Sequence, residues 1–370
     1  MEVDLGYSGT TFTLVAPVPA LRLSVAALVG AIAISGCTTA ATVEEQPGST
    51  TTISTTPTST TTTSTTSTTS TTSTTIPEKA GLVIHGTGDV NLDPGYTSAI
   101  GENGYDYSWD GLGGLFQDDS LTVINLECAP SDLGVAEPKE FVFRCPTASL
   151  PSLASAGIEV ANLGNNHSGD YGKEALIDGR AQLESVGVAP VGAGADAQEA
   201  GEPALFDMGG WSVAVVGFGG IMPHDGWIAT EDHPGMRDGD DIPSMVAAVE
   251  RAEELADIVV VSIHWGVELD TVPRPDDVER AEAMVAAGAD VIFGHHAHRL
   301  QPFEMMNDAA VFWGLGNFVW PRQSDAGATT AVARVIVGSD GSLDACLIPA
   351  FIENSGQPVL TGEPECPPSR

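Results

Sequence analysis

The chain has 370 residues, with 14 Lys and Arg against 50 Asp and Glu and a formal charge of −36. A field of that sign repels phosphate backbones, so no nucleic-acid partner is expected. Beyond the N-terminal region no apolar stretch is long enough for a membrane span, which excludes a multi-span protein.

In chain order, the first signal is the apolar run Leu21 to Ile34, short for a span and suited to a signal-peptide core. It leads into Ile34-Ser35-Gly36-Cys37, an apolar residue, two small residues and a cysteine. This resembles the lipobox of bacterial lipoproteins, which implies acylation of Cys37, a membrane association through lipid, and an extracytoplasmic location. Residues 1–37 are therefore read as a lipoprotein signal. Residues 38–78, nearly all Thr and Ser with Pro47 and Pro57, have too little apolar content to offset ordering entropy and read as a disordered linker. Once Cys37 is set aside four cysteines remain, an even number that suits an oxidising compartment. Of the three pairings open to them, Cys128–Cys145 and Cys346–Cys366 are the most economical.

From Ala80 the texture changes to short β-rich runs alternating with Ala-rich helical stretches. Gly81–Thr87, Leu121–Leu126, Glu159–Leu163, Ser212–Phe218, Ile258–His264 and Val291–Phe293 read as buried strands. Ser152–Ala156, Lys173–Val186, Ile242–Ala256 and Asp276–Ala287 read as helices. This alternation predicts an α/β domain over residues 79–355, with residues 356–370 as a tail. Phe303 to Phe351 turns β-rich, with hairpin turns at Asn307-Asp308 and Gly338–Gly341, and predicts a second, partly antiparallel sheet.

Polar residues follow five of these strands closely. They are Asp89 and Asn91; Asn125 and Glu127; Asn165, Asn166 and His167; His264; and His295, His296 and His298. Carboxyl ends of strands in open α/β sheets converge on one crevice, so these residues are expected to meet there. Carboxylates, carboxamides and neutral imidazoles suit Mn, Zn or Fe better than Mg or Cu, and no cysteine motif indicates a structural zinc site. His296 and His298 can point into one cavity, with His295 turned away or supporting them. Asp170 and Glu268 are candidates to orient histidines. Asn317 reads as a turn residue or a pocket donor, His85 as a core histidine, and His224 and His233 as loop residues. Asn166-His167 also fits a helix-capping turn. Trp265 and Trp313 read as core or pocket wall.

Six segments in this order resemble the CapA family of poly-γ-glutamate capsule biosynthesis proteins. They are Gly88-Asp89-Val90-Asn91-Leu92; Asn125-Leu126-Glu127; Asn165-Asn166-His167 with Asp170-Tyr171-Gly172; His264-Trp265-Gly266-Val267-Glu268; the run Gly288 to His298; and Leu315-Gly316-Asn317-Phe318. The resemblance implies a metallophosphoesterase-like, four-layer αββα sandwich with two divalent ions. It implies Asp89, Asn91, Glu127, Asn166, His264, His296 and His298 as ligands and His167 as general acid. Asn91 stands where many phosphoesterases have histidine, and Glu127 where they have a bridging aspartate. The resemblance also implies poly-γ-glutamate or another surface polymer, and a membrane synthesis complex, as partners. Three functions remain open: a metal-dependent hydrolase of capsule metabolism tethered outside the cell, a non-catalytic scaffold of polymer export, and a general extracellular phosphoesterase.

Overall fold

The computed structural model describes residues 79–364. The signal, Cys37, the Thr/Ser linker and Cys366 lie outside the described residues.

The chain opens with β1 (Leu82–Val90), α1 (Ser98–Asn103) and β2 (Leu121–Leu126), then α2 (Pro151–Ala156), β3 (Val160–Asn162) and α3 (Gly172–Ser185). There follow β4 (Ala189–Val191), β5 (Ala193–Gly194), α4 (Ala197–Gly201), β6 (Ala204–Met208), β7 (Trp211–Gly219) and β8 (Gly235–Met236). The next units are α5 (Ile242–Glu253), β9 (Ile258–His264), α6 (Pro275–Ala286) and β10 (Val291–His295). The chain finishes with β11 (Phe303–Met306), β12 (Ala309–Phe312), β13 (Asn317–Val319), α7 (Asp325–Ala328), β14 (Thr329–Val337), β15 (Leu343–Asn354) and β16 (Gln357–Leu360).

Two sheets carry the domain. The first runs β16-β15-β14-β1-β2-β3-β4, with β13 also pairing β1; the second runs β11-β12-β10-β9-β7-β6. Within each, the central neighbours β1, β2, β3 and β4, and β7, β9, β10 and β12, are parallel. Strand side chains alternate between faces, and here both faces are covered, which explains the near-continuous apolar runs. Val123 and Val160 of the first sheet meet Val213, Val260, Phe293 and Phe312 of the second in the central layer. Their alternates Ile124 and Ala161 pack outward on Leu153 of α2 and Leu176 and Leu183 of α3. On the far side Val259, Val261 and Ile292 pack on Met245 and Val249 of α5 and Ala281 and Met284 of α6. Three apolar layers between four structural ones make an αββα sandwich.

The β-rich final third does not form a sheet of its own. Strands β11 and β12 complete the second sheet, while β13 to β16 join the first. The parallel core already offers hydrogen-bonding edges on both sheets, so the late strands divide between them. The expected turn at Asn307-Asp308 is present, with both residues left-handed at φ 53° and 79°. Strand β16 pairs antiparallel with β15 and so carries the sheet beyond residue 355, into the segment read as a tail. Helix α5 ends at Glu253, three residues short of the expected Ala256.

Glu159, just before β3, accepts the Thr122 N–H at 2.7 Å, and burial pushes its carboxyl up to about 7. A carboxyl raised on folding lends its stability below the ordinary value and loses it as pH rises through about 7. Glu159→Gln is therefore expected to match wild type in urea denaturation at pH 4. At pH 8 it should exceed wild type by about 1 kcal/mol, a figure discounted for partial exposure. Equal stabilities at pH 8 would remove burial as the cause.

Candidate metal centre

The carboxyl ends of β1, β2, β3, β9 and β10 meet at one rim of the sandwich. Asp89, near the end of β1, is fully buried and accepts from Asn125 Nδ2 at 2.9 Å. Glu127, one residue past β2, is equally buried. Oxygens of both, with His298, lie within 4.8 Å of one another. A second group, Glu127, His264 and His296, meets the same limit, so Glu127 belongs to both. His298 Nδ1 is 3.1 Å from Asp89 Oδ2, and its Nε2 is 3.9 Å from Glu127 Oε1. His264 Nε2 lies 2.9 Å from Asn166 Oδ1, 3.1 Å from His296 Nδ1 and 3.7 Å from Glu127 Oε1.

These separations are the spacing of atoms that share a cation at metal–ligand distances of about 2.0–2.2 Å. Buried polar atoms are normally hydrogen-bonded. Here both Glu127 oxygens, Asp89 Oδ2 and the Nδ1 atoms of His295 and His298 make no hydrogen bond. The donor set fits a divalent cation on its chemistry and on these orphaned atoms.

Burial works to raise Asp89, but His298, 3.1 Å away, and His295 hold its carboxyl below the usual range. Burial, reinforced by Asp89, pushes Glu127 well above it. Burial would depress His298, but Glu127 and Asp89 outweigh it and raise the imidazolium to about 9. Burial and the neighbouring His296 hold His264 well down. Burial takes His295 to about 4, and burial with the charge of His298 takes His296 there too. Three neutral imidazoles, His264, His295 and His296, thus face a set in which Glu127 and His298 hold protons and Asp89 does not.

Local structure explains the Asn-Asn-His motif. Asn165 Oδ1 accepts from the N–H groups of His167 and Ser168 and from the Ser168 hydroxyl, at 2.9–3.0 Å. Asn165 therefore fixes the turn, and Asn166 is released to face His264. His167 Nδ1 sits 2.8 Å from Asp170 Oδ2, which also takes the Phe143 N–H at 2.7 Å. That leaves His167 Nε2 towards Glu127, 4.0 Å away.

Not every candidate joins the cluster. Asn91 Oδ1 accepts from the Asp93 N–H at 2.9 Å, closing a local turn, and among the described residues it bonds to no other candidate ligand. Glu268 is exposed on the wall of the adjacent cleft, where its charge helps to raise His298. His295 turns Nε2 to Ser262 Oγ at 3.0 Å, with Nδ1 3.7 Å from Asp89. Asn317 pairs in register with Asp89 across β1 and β13 and lines the cleft. Trp265 and Trp313 stack at 5.7 Å in the outer core beneath α5 and α6, away from that cleft. His85 is buried, 2.6 Å from Asp119, while His224 and His233 are exposed. Cys128 and Cys145 are disulfide-bonded and close the loop that carries Phe143 to the cleft.

Two contributors had no role assigned from the sequence, though Asn125 was placed in the crevice. Asn125 reaches Asp89 and lies 3.1 Å from His264 Nδ1, tying the two sheets. Its signal was position, since an odd residue of a buried strand beside a carboxylate faces the same crevice. Lys139 pairs with Asp170 and donates to the Asn166 carbonyl at 2.6 Å. A lone lysine in an acidic loop gives no such signal.

The fold and this cluster define an α/β sandwich domain with a candidate metal-ligand set at its rim. The chain belongs to the family described as bacterial capsule synthesis protein PGA_cap, which matches residues 83–322. It is 34% identical over 221 residues to the capsule biosynthesis protein CapA of Bacillus anthracis, covering 58% of this chain and 53% of that one. To the PGA biosynthesis protein CapA of Bacillus subtilis it is 34% identical over 194 residues, covering 51% and 50%. To a probable polyglutamine synthesis accessory protein of Mycobacterium tuberculosis it is 32% identical over 214 residues, covering 54% and 55%. The chain thus spans about half the length of the curated relatives it matches. Among solved structures, a novel phosphatase of Mycoplasma pneumoniae matches at TM-score 0.45 and 11% identity, over 73% of this chain and 94% of that one. The NAD nucleotidase of Haemophilus influenzae matches at TM-score 0.45 and 12%, over 77% and 54%.

Proposed function

We propose that this domain is a metal-dependent, hydrolase-like centre of capsule-polymer metabolism, acting on poly-γ-glutamate or a related surface polymer. We further propose that lipid at Cys37 and the Thr/Ser linker hold it outside the cell, in the cell envelope, beside a membrane synthesis complex. Among the described residues no helix is long and apolar enough to cross a membrane. The observation that carries the catalytic reading is the pair of buried ligand groups sharing Glu127.

In this reading Asp89, Glu127 and His298 hold one ion, and Glu127, Asn166, His264 and His296 hold a second, each Mn, Zn or Fe. Bound there, such ions supply an acidified water and stabilise developing negative charge. His295 and Asn125 steady Asp89. Asp170 Oδ2 accepts a hydrogen bond from His167 Nδ1–H, so Nε2 presents its lone pair to the site. Burial lowers the His167 pKa despite Asp170, so the resting ring is neutral. His167 would take the proton lost by the attacking water and pass it to the departing group, with Asp170 stabilising the imidazolium between the two events.

One observation favours a second reading, a scaffold that keeps the fold without the chemistry. Asn91, at a position where many phosphoesterases carry histidine, is turned to its own backbone. Hydrolysis of a generic phosphodiester and of γ-linked polyglutamate, each with and without Mn²⁺, separates the two. The enzyme reading expects Mn²⁺-dependent turnover that falls by about 10²–10⁴ in His167→Ala while metal content is kept. A metal-loaded protein inert to both substrates would leave the scaffold.

A further inference from the structure

In so acidic a chain, cations are scarce and mostly engaged. Lys79 pairs with Asp257, Arg180 with Glu199, Arg280 with Asp240 and Arg322 with Asp325. Arg144 and Arg237 bond to backbone carbonyls instead, and Arg299 differs from them in its place. It lines a cleft of about 200 Å³ whose wall also holds His167 and His298. Among the described residues it meets no carboxylate, and its hydrogen bond is from Nη1 to the His298 carbonyl at 2.7 Å. Most of the five donors of a guanidinium are thus left for something else.

Asn317 stands on the same wall and is only 5% exposed. Its Nδ2 donates to the Gly327 carbonyl at 3.0 Å, while its Oδ1 has no partner. Gly327 lies between these two side chains. A methyl group there would come 3.2 Å from Arg299 Nη1 and 3.6 Å from Asn317 Nδ2. The missing side chain keeps open a small hollow edged by both. Tyr96, Phe143 and Trp320 form the apolar part of the cleft.

The two groups ask for different things. A guanidinium takes a carboxylate or phosphate, and an amide oxygen takes a hydrogen-bond donor. A phosphate diester, which carries no O–H, would answer the first and leave a buried acceptor unsatisfied, which is costly. An acid group next to an amide N–H answers both. We infer that Arg299 and Asn317 form a specificity subsite for an acidic polyamide, Arg299 binding its carboxylate and Asn317 Oδ1 its N–H. The inference rests on the polymer reading above and adds which side chains select the polymer. Arg299 is also a local cation for a polyanion that approaches a molecule of charge −36.

The test is calorimetric binding of a γ-linked glutamate hexamer to the full chain, with metal content measured on the same samples. Inorganic phosphate and glucose 6-phosphate, which offers hydroxyl donors, are the competing ligands. Arg299→Gln is expected to weaken hexamer binding about tenfold or more with its metal unchanged, and Arg299→Lys to recover part of it. Hexamer binding unchanged in Arg299→Gln, or absent in wild type, overturns the subsite. So does Arg299-dependent binding of a phosphate ligand without the hexamer. Loss of metal in Arg299→Gln would make Arg299 a prop for His298 and likewise overturn it. A metal-free wild type that binds the hexamer through Arg299 would sink the catalytic reading and leave the subsite standing.

Discussion

Adding Mn²⁺ or Zn²⁺ to chelated protein is expected to raise the melting temperature by about 5–10 °C. The reason lies in the unsatisfied atoms: Glu127 has two buried oxygens with no hydrogen bond, and Asp89 has one. A cation at a hundred times its dissociation constant stabilises a native state by about 2.7 kcal/mol. Each kcal/mol moves the transition of a domain this size by about 2–4 °C. The gain should disappear in Glu127→Ala, because Glu127 belongs to both ligand groups. His298 holds its proton up to about 9 and Glu127 is raised well above its usual range, so binding a cation must displace protons. Affinity should therefore rise from pH 6 towards pH 9, with protons released into the buffer on titration. Identical melting curves with and without metal, in wild type and Glu127→Ala alike, would leave the cluster without a cation.

Gly88→Ala is expected to cost roughly 3 kcal/mol in urea denaturation, the upper range for overpacking a rigid site. A Cβ on Gly88 would sit 2.1 Å from the Gly316 carbonyl oxygen and 2.7 Å from that of Leu315. Both obstacles are backbone, and Gly316 itself is left-handed at φ 72°. Relief would push β13 off β1 at the point where Asp89 N–H meets Gly316 O at 2.9 Å. Metal affinity should fall with stability, since Asp89 and Asn317 share that register. A variant within 0.5 kcal/mol of wild type, at about the noise level of surface substitutions, would show the turn to be pliable.

Much of this was legible because it depends on period and position. Leu121–Leu126 and Ile258–His264 are continuous apolar runs bounded by turn residues, and both are strands over those same residues. The motif residues after them were placed at one rim by the rule that strand ends converge, which needs no side-chain detail. Three things were hidden. The allocation of β11 to β16 between sheets depends on which edges are free, a property of the assembled fold. The turn-closing role of Asn165 depends on local hydrogen bonds that the motif does not show, and the family resemblance alone had singled out Asn166. The left-handed backbones of His296 and His298, at φ 82° and 50°, leave no mark in the run His295-His296-Ala297-His298. Such conformations cost about 1–3 kcal/mol each and persist where the surroundings enforce them. Here the Leu269 N–H to Ala297 carbonyl bond, at 2.7 Å, fastens the loop from the next crossover.

The cluster draws Asp89, Glu127 and Asn166 from the first sheet, and His264, His296 and His298 from the second. In chain order every oxygen donor precedes every nitrogen donor. A ribosome that has released only the first half has therefore made two carboxylates and a carboxamide, with nothing to discriminate one hard cation from another. The imidazoles that favour a transition metal arrive last, once both β-layers can close. For the proposed centre, choice of ion would thus wait until the strands of the second sheet exist.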